Sequence, residues 1–344
     1  MCAWRAELRV LAAGLLLVAC GREEPGQERA RTSDATSVEF QKEPIQPLEL
    51  DTAIDQQRAE LGGRLFHDPR LSADGSVACS SCHDIGAGGD DGKPRSIGIK
   101  GASGDINAPT VLNAGNNFVQ FWDGRAASLE EQAGGPLTNP LEMGNSWDTL
   151  LQTLGRDAGY AAEFKRAFSD GLSEANVRTA LATFQRTLIT VDSRFDRWLR
   201  GQREALSAEE SAGYELFKNV GCVACHQGRN VGGNMFQRFG VMGDYFATRG
   251  EIKTADLGRF NVTKSPADRH VFRVPSLRNV ELTAPYFHDA SAATLEDAVR
   301  VMGRYQLGRP LSDGDVARIV SFLKTLTGKI PDVSRFVRVQ AGSP

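Results

Sequence analysis

The sequence predicts a mainly α-helical chain in which one unit is written twice, and three observations carry that prediction. The motif Cys-x-x-Cys-His occurs at Cys79–His83 and again at Cys222–His226. Each copy follows Gly-x-x-Leu-Phe, at Gly62–Phe66 and Gly213–Phe217, near the end of an amphipathic helical pattern. Each unit then closes on a second helical pattern, one holding Phe184-Gln185-Arg186-Thr187-Leu188 and the other Phe322-Leu323-Lys324-Thr325-Leu326. Strand signals are weak. A length of 344 residues suits about two domains.

The elements follow in order. Arg5 and Arg9 precede the apolar run Leu11–Cys20, a signal-peptide pattern over residues 1–19 that is too short to span a bilayer as a stable helix. The run ends Leu17-Val18-Ala19-Cys20-Gly21, which resembles a bacterial lipobox with lipid attached at Cys20. Residues 20–47 are polar and aperiodic and read as a flexible, lipid-anchored linker. Lipid at Cys20 would hold otherwise soluble domains at a membrane surface. The first unit spans residues 48–198 and the second 199–330. The second opens with Ser207-Ala208-Glu209-Glu210, a capping box. Its last helix places Val316, Ile319, Val320, Leu323 and Leu326 on one face, with Gly328 as the expected C-cap. Residues 331–344 are expected to run along the surface. A net charge of −3 offers no basic field, so a nucleic-acid partner is excluded.

The motifs carry chemistry. Two cysteines at i and i+3 place both sulfurs on one side of a helical turn, where they can bond the vinyl groups of haem c, and the adjacent histidine reaches the iron. A lone Cys-x-x-Cys also reads as a redox dithiol or half a zinc site. Two copies, both ending in His, favour two covalent haems on Cys79, Cys82, His83 and on Cys222, Cys225, His226. The order helix, motif, long loop, closing helix is the plan of a class I cytochrome c. The expected architecture is therefore two such domains packed about a two-fold-like interface. Methionine is the usual sixth ligand of an electron-transfer haem. Met235, Met242 and Met302 all lie downstream of His226, and position alone does not choose among them.

From Leu61 to Gly328 the chain resembles the bacterial di-haem cytochrome c peroxidases. The resemblance is carried by LFHDPRLS (65–72), CSSCH, NAPTVLNA (107–114), QFWDGRA (120–126), LEEQAGGP (129–136), NPLEMG (139–144), CVACH, VFRVPSLRNVELTAPYFHDA (271–290) and VMGRYQLG (301–308). It implies reduction of hydrogen peroxide to water in the periplasm. Electrons would come from a small soluble donor, a cytochrome c or a cupredoxin. It implies Met302 as axial ligand of the second haem and Trp122 as the residue between the haems. Glu142 would be the acid–base residue, with Gln132 beside it in the pocket. One carboxylate near the peroxide can take a proton and return it to the leaving oxygen. Arg273 and His288 match residues near haem propionates, and Asn107 with the carbonyls of Thr283 and Pro285 matches a calcium site. His67 reads as ordinary packing. Family members are often homodimers, but no diagnostic seam is visible in the sequence.

One block departs from the family. Many members carry a histidine after Ser-Val-Gly that caps the peroxidatic iron until the other haem is reduced. Here the block reads Ser96-Ile97-Gly98-Ile99, and no histidine lies between His83 and His226. The expectation is a first haem with no second protein ligand, able to meet peroxide without prior reduction. Two other functions are weighed. One is a di-haem oxidase acting on a protein substrate, like the related enzymes that mature a quinone cofactor. Those use a Tyr as axial ligand of the second haem, and here Tyr305 lies three residues from Met302. The other is a di-haem electron carrier with no enzymatic role.

Overall fold

The structure is a computed structural model and describes residues 43–334 and Phe336. The expected signal peptide, Cys20 and the linker up to residue 42 lie outside the described residues. Helices dominate. In chain order they are α1 (Gln56–Phe66), α2 (Leu129–Thr138), α3 (Trp147–Arg156), α4 (Ala158–Ala167), α5 (Glu174–Arg186), α6 (Arg194–Leu199), α7 (Ala208–Asn219), α8 (Tyr245–Arg249), α9 (Phe260–Thr263), α10 (Leu295–Val301) and α11 (Asp313–Lys324). Two three-residue strands, β1 (Phe236–Arg238) and β2 (Val271–Arg273), pair antiparallel with Gln237 opposite Phe272.

The repeat read from the sequence is a repeat in packing. In each half the helix before the motif crosses the closing helix, α1 on α5 and α7 on α11. Both crossings are close enough to demand glycine. A Cβ on Gly62 would lie 1.9 Å from the Ala180 carbonyl oxygen, and one on Gly213 would lie 2.1 Å from that of Arg318. Beside each crossing two rings meet, Phe66 with Phe184 and Phe217 with Phe322, both at 5.2 Å. All four are buried, and each contributes about 1.5–3 kcal/mol of transfer free energy. The capping box opens α7 as read, with Ser207 Oγ accepting from Glu210 N and Glu210 returning the bond to Ser207 N.

A second repeat, not recognised from the sequence, forms the interface. Asn113 and Asn279 both adopt left-handed backbone, at φ 59° and 58°. Both donate a side-chain hydrogen bond to Thr190 Oγ1, each at 2.8 Å. Short hairpins follow at one constant offset, closed by Gln120 with Ala126 and by Tyr286 with Ala292. Across the seam the exchange is reciprocal. Asn107 N donates to His288 O and Arg273 N donates to Trp122 O, both at 2.8 Å. Mutual contacts of equivalent residues are the signature of a two-fold relation.

Three boundary expectations are corrected. Residues 43–47 are not a tether. Tyr214 donates to Glu43, Gly228 N donates to Pro44 O, and Ile45 is buried in the second core. The boundary at 198/199 would cut α6, whose Phe195, Trp198 and Leu199 belong to the second core. The tail does not simply follow the surface, because Phe336 is buried against Phe184 of the first core. The described ends therefore cross, each serving the domain farther from it in sequence. Gly328 does not cap α11, which ends on Thr325. A Cβ there would lie 2.0 Å from the Thr190 carbonyl oxygen, so it is small because the chain passes close.

Candidate active site

Both motifs sit on a single helical turn, Cys79–Ser81 and Cys222–Ala224, and the next residues carry the histidines. His83 N and His226 N each bond the carbonyl of the first cysteine at 3.0 Å, which turns the imidazoles back under the motif. His83 Nδ1 lies 3.1 Å from Gly89 O, and His226 Nδ1 lies 3.3 Å from Val231 O. A carbonyl can only accept, so Nδ1 carries the proton and Nε2 presents a lone pair. Burial pushes His83 down and His226 down to about 4, so both stay neutral, as metal ligands must. None of the four motif cysteines pairs in a disulfide. Burial pushes Cys79 and Cys222 up to about 12, which disfavours a thiolate-based dithiol couple.

The second motif opens onto a cleft of about 230 Å³, walled mostly by apolar side chains. Cys222, Cys225, His226 and Met302 line it together. Met302 begins a π-helical turn, Met302–Gln306, after α10, a distortion that often marks functional positions. Met235 does not line this cleft, and Met242 is exposed. Tyr305 is also absent from the wall and packs edge-on against Tyr245 at 5.3 Å. Arg273 reaches the cleft almost fully buried, with no carboxylate partner among the described residues. Burial alone pushes its guanidinium down to about 10. A buried cation without an anion, two thiols, a bare Nε2 and a thioether in one apolar cleft fit haem c with its propionates.

Trp122 stands on the seam between the halves. Its indole Nε1 donates to Asn107 O at 3.0 Å. Its ring meets His288 edge-on at 6.3 Å, and these two residues occupy equivalent positions of the two hairpins. His288 is buried, with Nε2 2.8 Å from Asp256 Oδ1. Arg249 pairs with both Asp256 and Asp289. Burial works against ionisation of Asp256, but its bonds to His288 and Arg249 hold it well below the usual carboxylate range. That cluster is an ion network that braces His288 beside Trp122. His67 and His270 bond backbone carbonyls, Gly63 O and Asp256 O, at 2.8 and 2.7 Å.

At the first motif Glu142 is half-buried on the turn that follows α2. Asn139, the C-cap of α2, donates from Nδ2 to Glu142 Oε1 at 2.7 Å. Burial raises the Glu142 carboxyl above its ordinary value, while the Asn139 bond and the Arg125 charge oppose the rise. Its charge is felt by both Cys79 and Cys82, which places it near the motif. Gln132 lies on α2, seven residues before Asn139 and so on the same helix face. Ile99 is buried, and its N–H donates to Glu142 O at 2.9 Å. A Cβ on Gly98 would lie 2.1 Å from Leu141 O. One on Gly144, at φ 56°, would lie 2.3 Å from Ile99 Cδ1. The loop that ends in Ile99 is thus seated on the turn that carries Glu142.

Asn107, Thr283 and Pro285 border the interface end of the cleft at the second motif. Asn107 Nδ2 donates to Lys93 O at 2.8 Å, so its amide oxygen is the end available as an acceptor. Among the described residues no backbone N–H donates to the Thr283 or Pro285 carbonyls. A set of oxygen donors suits a hard cation such as Ca²⁺. Sequence reasoning missed Asp90, which is buried at the same place with Oδ1 unpartnered. It also missed Asn139. Its signal was Asn-x-x-Glu at 139–142, spacing that lets a C-cap amide hold the carboxylate.

Fold and site define a two-domain cytochrome with one haem-attachment motif per domain and a half-buried carboxylate, Glu142, near the first. A family model described as di-haem cytochrome c peroxidase matches residues 56–204. The chain is 50% identical over 291 residues to cytochrome c551 peroxidase of Nitrosomonas europaea, covering 84% of this chain and 86% of that one. It is 48% identical over 297 residues to cytochrome c peroxidase Ccp of Escherichia coli, covering 86% of this chain but only 63% of that longer protein. Among solved structures it resembles a MauG-like protein associated with microbial copper homeostasis. The TM-score is 0.74 at 30% identity, covering 86% of this chain and 96% of that one. The chain belongs to the di-haem cytochrome c peroxidase family.

Proposed function

We propose that this chain is a periplasmic cytochrome c peroxidase that reduces hydrogen peroxide to water with two electrons and two protons. The electrons come from a small soluble donor, a cytochrome c or a cupredoxin. The observation that carries this reading is Glu142, raised above its ordinary pKa by burial, bound by Asn139 and backed by the loop that ends in Ile99. Cys79, Cys82 and His83 hold one haem. Cys222, Cys225, His226 and Met302 hold the other, with Arg273 beside its propionates. When bound, the first haem supplies the redox chemistry at the peroxide bond and the second takes up donor electrons.

The chain's own residues do the rest. Glu142 accepts the proton from one peroxide oxygen and delivers it to the other, assisted by Gln132. Asn139 fixes the carboxylate for both steps. Trp122 bridges the two halves, so electrons entering at the second domain pass by way of its ring. Ile99 has no lone pair, so this loop would offer the first haem no second protein ligand, and peroxide would not need prior reduction to bind. Ca²⁺ at Asn107, Thr283 and Pro285 would lock the seam, and lipid at Cys20 would hold the enzyme at a membrane. A homodimer is carried over from the family.

The likeness to a MauG-like structure favours a second reading, an oxidase acting on a protein side chain. Met302, not Tyr305, on the wall of the second cleft supports the peroxidase. Steady turnover of peroxide by reduced cytochrome c is the expected outcome, and Met302→Leu should alter the second haem's spectrum. Absence of turnover would turn the assignment to the oxidase.

A further inference from the structure

Asp90 has no use in the chemistry above, yet it is costly. It is 3% exposed, and Oδ1 has no hydrogen-bond partner among the described residues. A buried carboxylate without a partner is unfavourable by several kcal/mol unless a cation or donors compensate it. No lysine or arginine pairs with it among the described residues. Its surroundings say what could.

The segment around Asp90 lies along the other domain. A Cβ on Gly88 would lie 2.9 Å from Leu282 O, and one on Gly92 would lie 4.0 Å from Ala284 O. Asp90, midway between them, is thus set beside Thr283. Its charge is felt by the buried phenol of Tyr286, one residue past Pro285. Asp90, Asn107, Thr283 and Pro285 all border one cleft. Asn107 is turned by its bond to Lys93 O, three residues from Asp90.

We infer that Asp90 is an anionic ligand of a hard divalent cation, Ca²⁺, at the domain seam, joining Asn107 and the carbonyls of Thr283 and Pro285. The inference rests on the cation site proposed above and adds to it the one charged donor. The neutral oxygens define where the ion sits, and Asp90 supplies the charge that makes binding tight. Charge count is a principal control of Ca²⁺ affinity. One consequence is structural. The ion would tie the loop after His83 directly to the second domain, so cation loss would loosen the seam that carries Trp122.

The test uses the holoprotein freed of metal by chelation and titrated with Ca²⁺ in a calorimeter. One ion per chain is expected. Asp90→Asn should weaken binding at least tenfold, while Asp105→Asn, an exposed carboxylate two residues from Asn107, should change it less than threefold. Thermal midpoints read the same linkage in a variant of lower stability. Saturating Ca²⁺ should raise the midpoint of the parent protein and leave that of Asp90→Asn nearly unmoved. Equal affinity in parent and Asp90→Asn would overturn the inference while leaving the cation site standing. A parent protein that binds no Ca²⁺ would overturn both.

Discussion

Ile99 donates its backbone N–H to the carbonyl of Glu142 at 2.9 Å, and its side chain fills the hollow over Gly144. Ile99 is therefore part of the support of Glu142, the proposed acid–base group. On the proposed reading an isoleucine there would offer the first haem no second protein ligand, and in the structure it packs the loop down. The two effects are separable by mutation.

Gly144→Ala should disturb the support while leaving Glu142 itself intact. The new methyl would meet Ile99 Cδ1, and φ 56° is strained for any residue with a Cβ. A loss of about 1–3 kcal/mol in stability is expected from overpacking. The rate of peroxide reduction should fall about tenfold, read as kcat/KM, with both haem spectra retained.

Glu142→Gln should lower the rate of reaction with peroxide by about 10²–10⁴-fold, the usual worth of a positioned acid–base group. The pH profile carries the sign. Burial raises the Glu142 pKa above its ordinary value of 4.5. Below that raised pKa the carboxyl is protonated and cannot take the peroxide proton. The rate of the parent enzyme should therefore climb with pH through a value above 4.5, and the acidic limb should be missing from the variant.

Trp122→Phe should separate the two halves of the reaction. It removes the indole donor to Asn107 O but keeps an aromatic ring. Reaction of the first haem with peroxide should persist. Turnover with a reduced donor should fall at least tenfold, because electrons cross the seam more slowly. Single-turnover and steady-state rates measured on one preparation make the comparison.

The Asp196–Arg278 pair is buried on both sides at 2.7 Å. Arg278 also bonds Gln46 O, and Asp196 receives Leu48 N, so the pair clasps the entering chain to the second domain. Asp196→Ala would leave a buried guanidinium uncompensated, at a cost of about 3–5 kcal/mol. Denaturant unfolding of the holoprotein measures it. A change under 1 kcal/mol would mean that the clasp is not a structural element.

How much of this was legible follows from what leaves a mark on side chains. Cys79, Cys82, His83 and their counterparts announce haem because covalent attachment fixes both residue type and spacing. Gly62 and Gly213 were visible as a repeat, but their reason, a carbonyl passing within contact distance, was not. The repeat that builds the seam was missed, although Pro109-Thr110-Val111-Leu112-Asn113 echoes Pro275-Ser276-Leu277-Arg278-Asn279. Its bonds are backbone N–H groups meeting carbonyls, which any residue can supply. The crossing of the chain ends was hidden for another reason. Ile45 and Phe336 lie in short segments broken by proline and charged residues, too short to show a periodicity. Asp90 sits next to Asp91 in a Gly-rich loop, where acidic residues are normally solvated.

The central claim is that the first haem site of the fully oxidised enzyme is open to peroxide under Glu142. Stopped-flow mixing of the all-ferric protein with hydrogen peroxide tests it most directly. The account predicts an immediate change in the Soret band whose rate rises linearly with peroxide, with no reductant present. A ferric protein that stays unchanged until one electron equivalent has been added would contradict it.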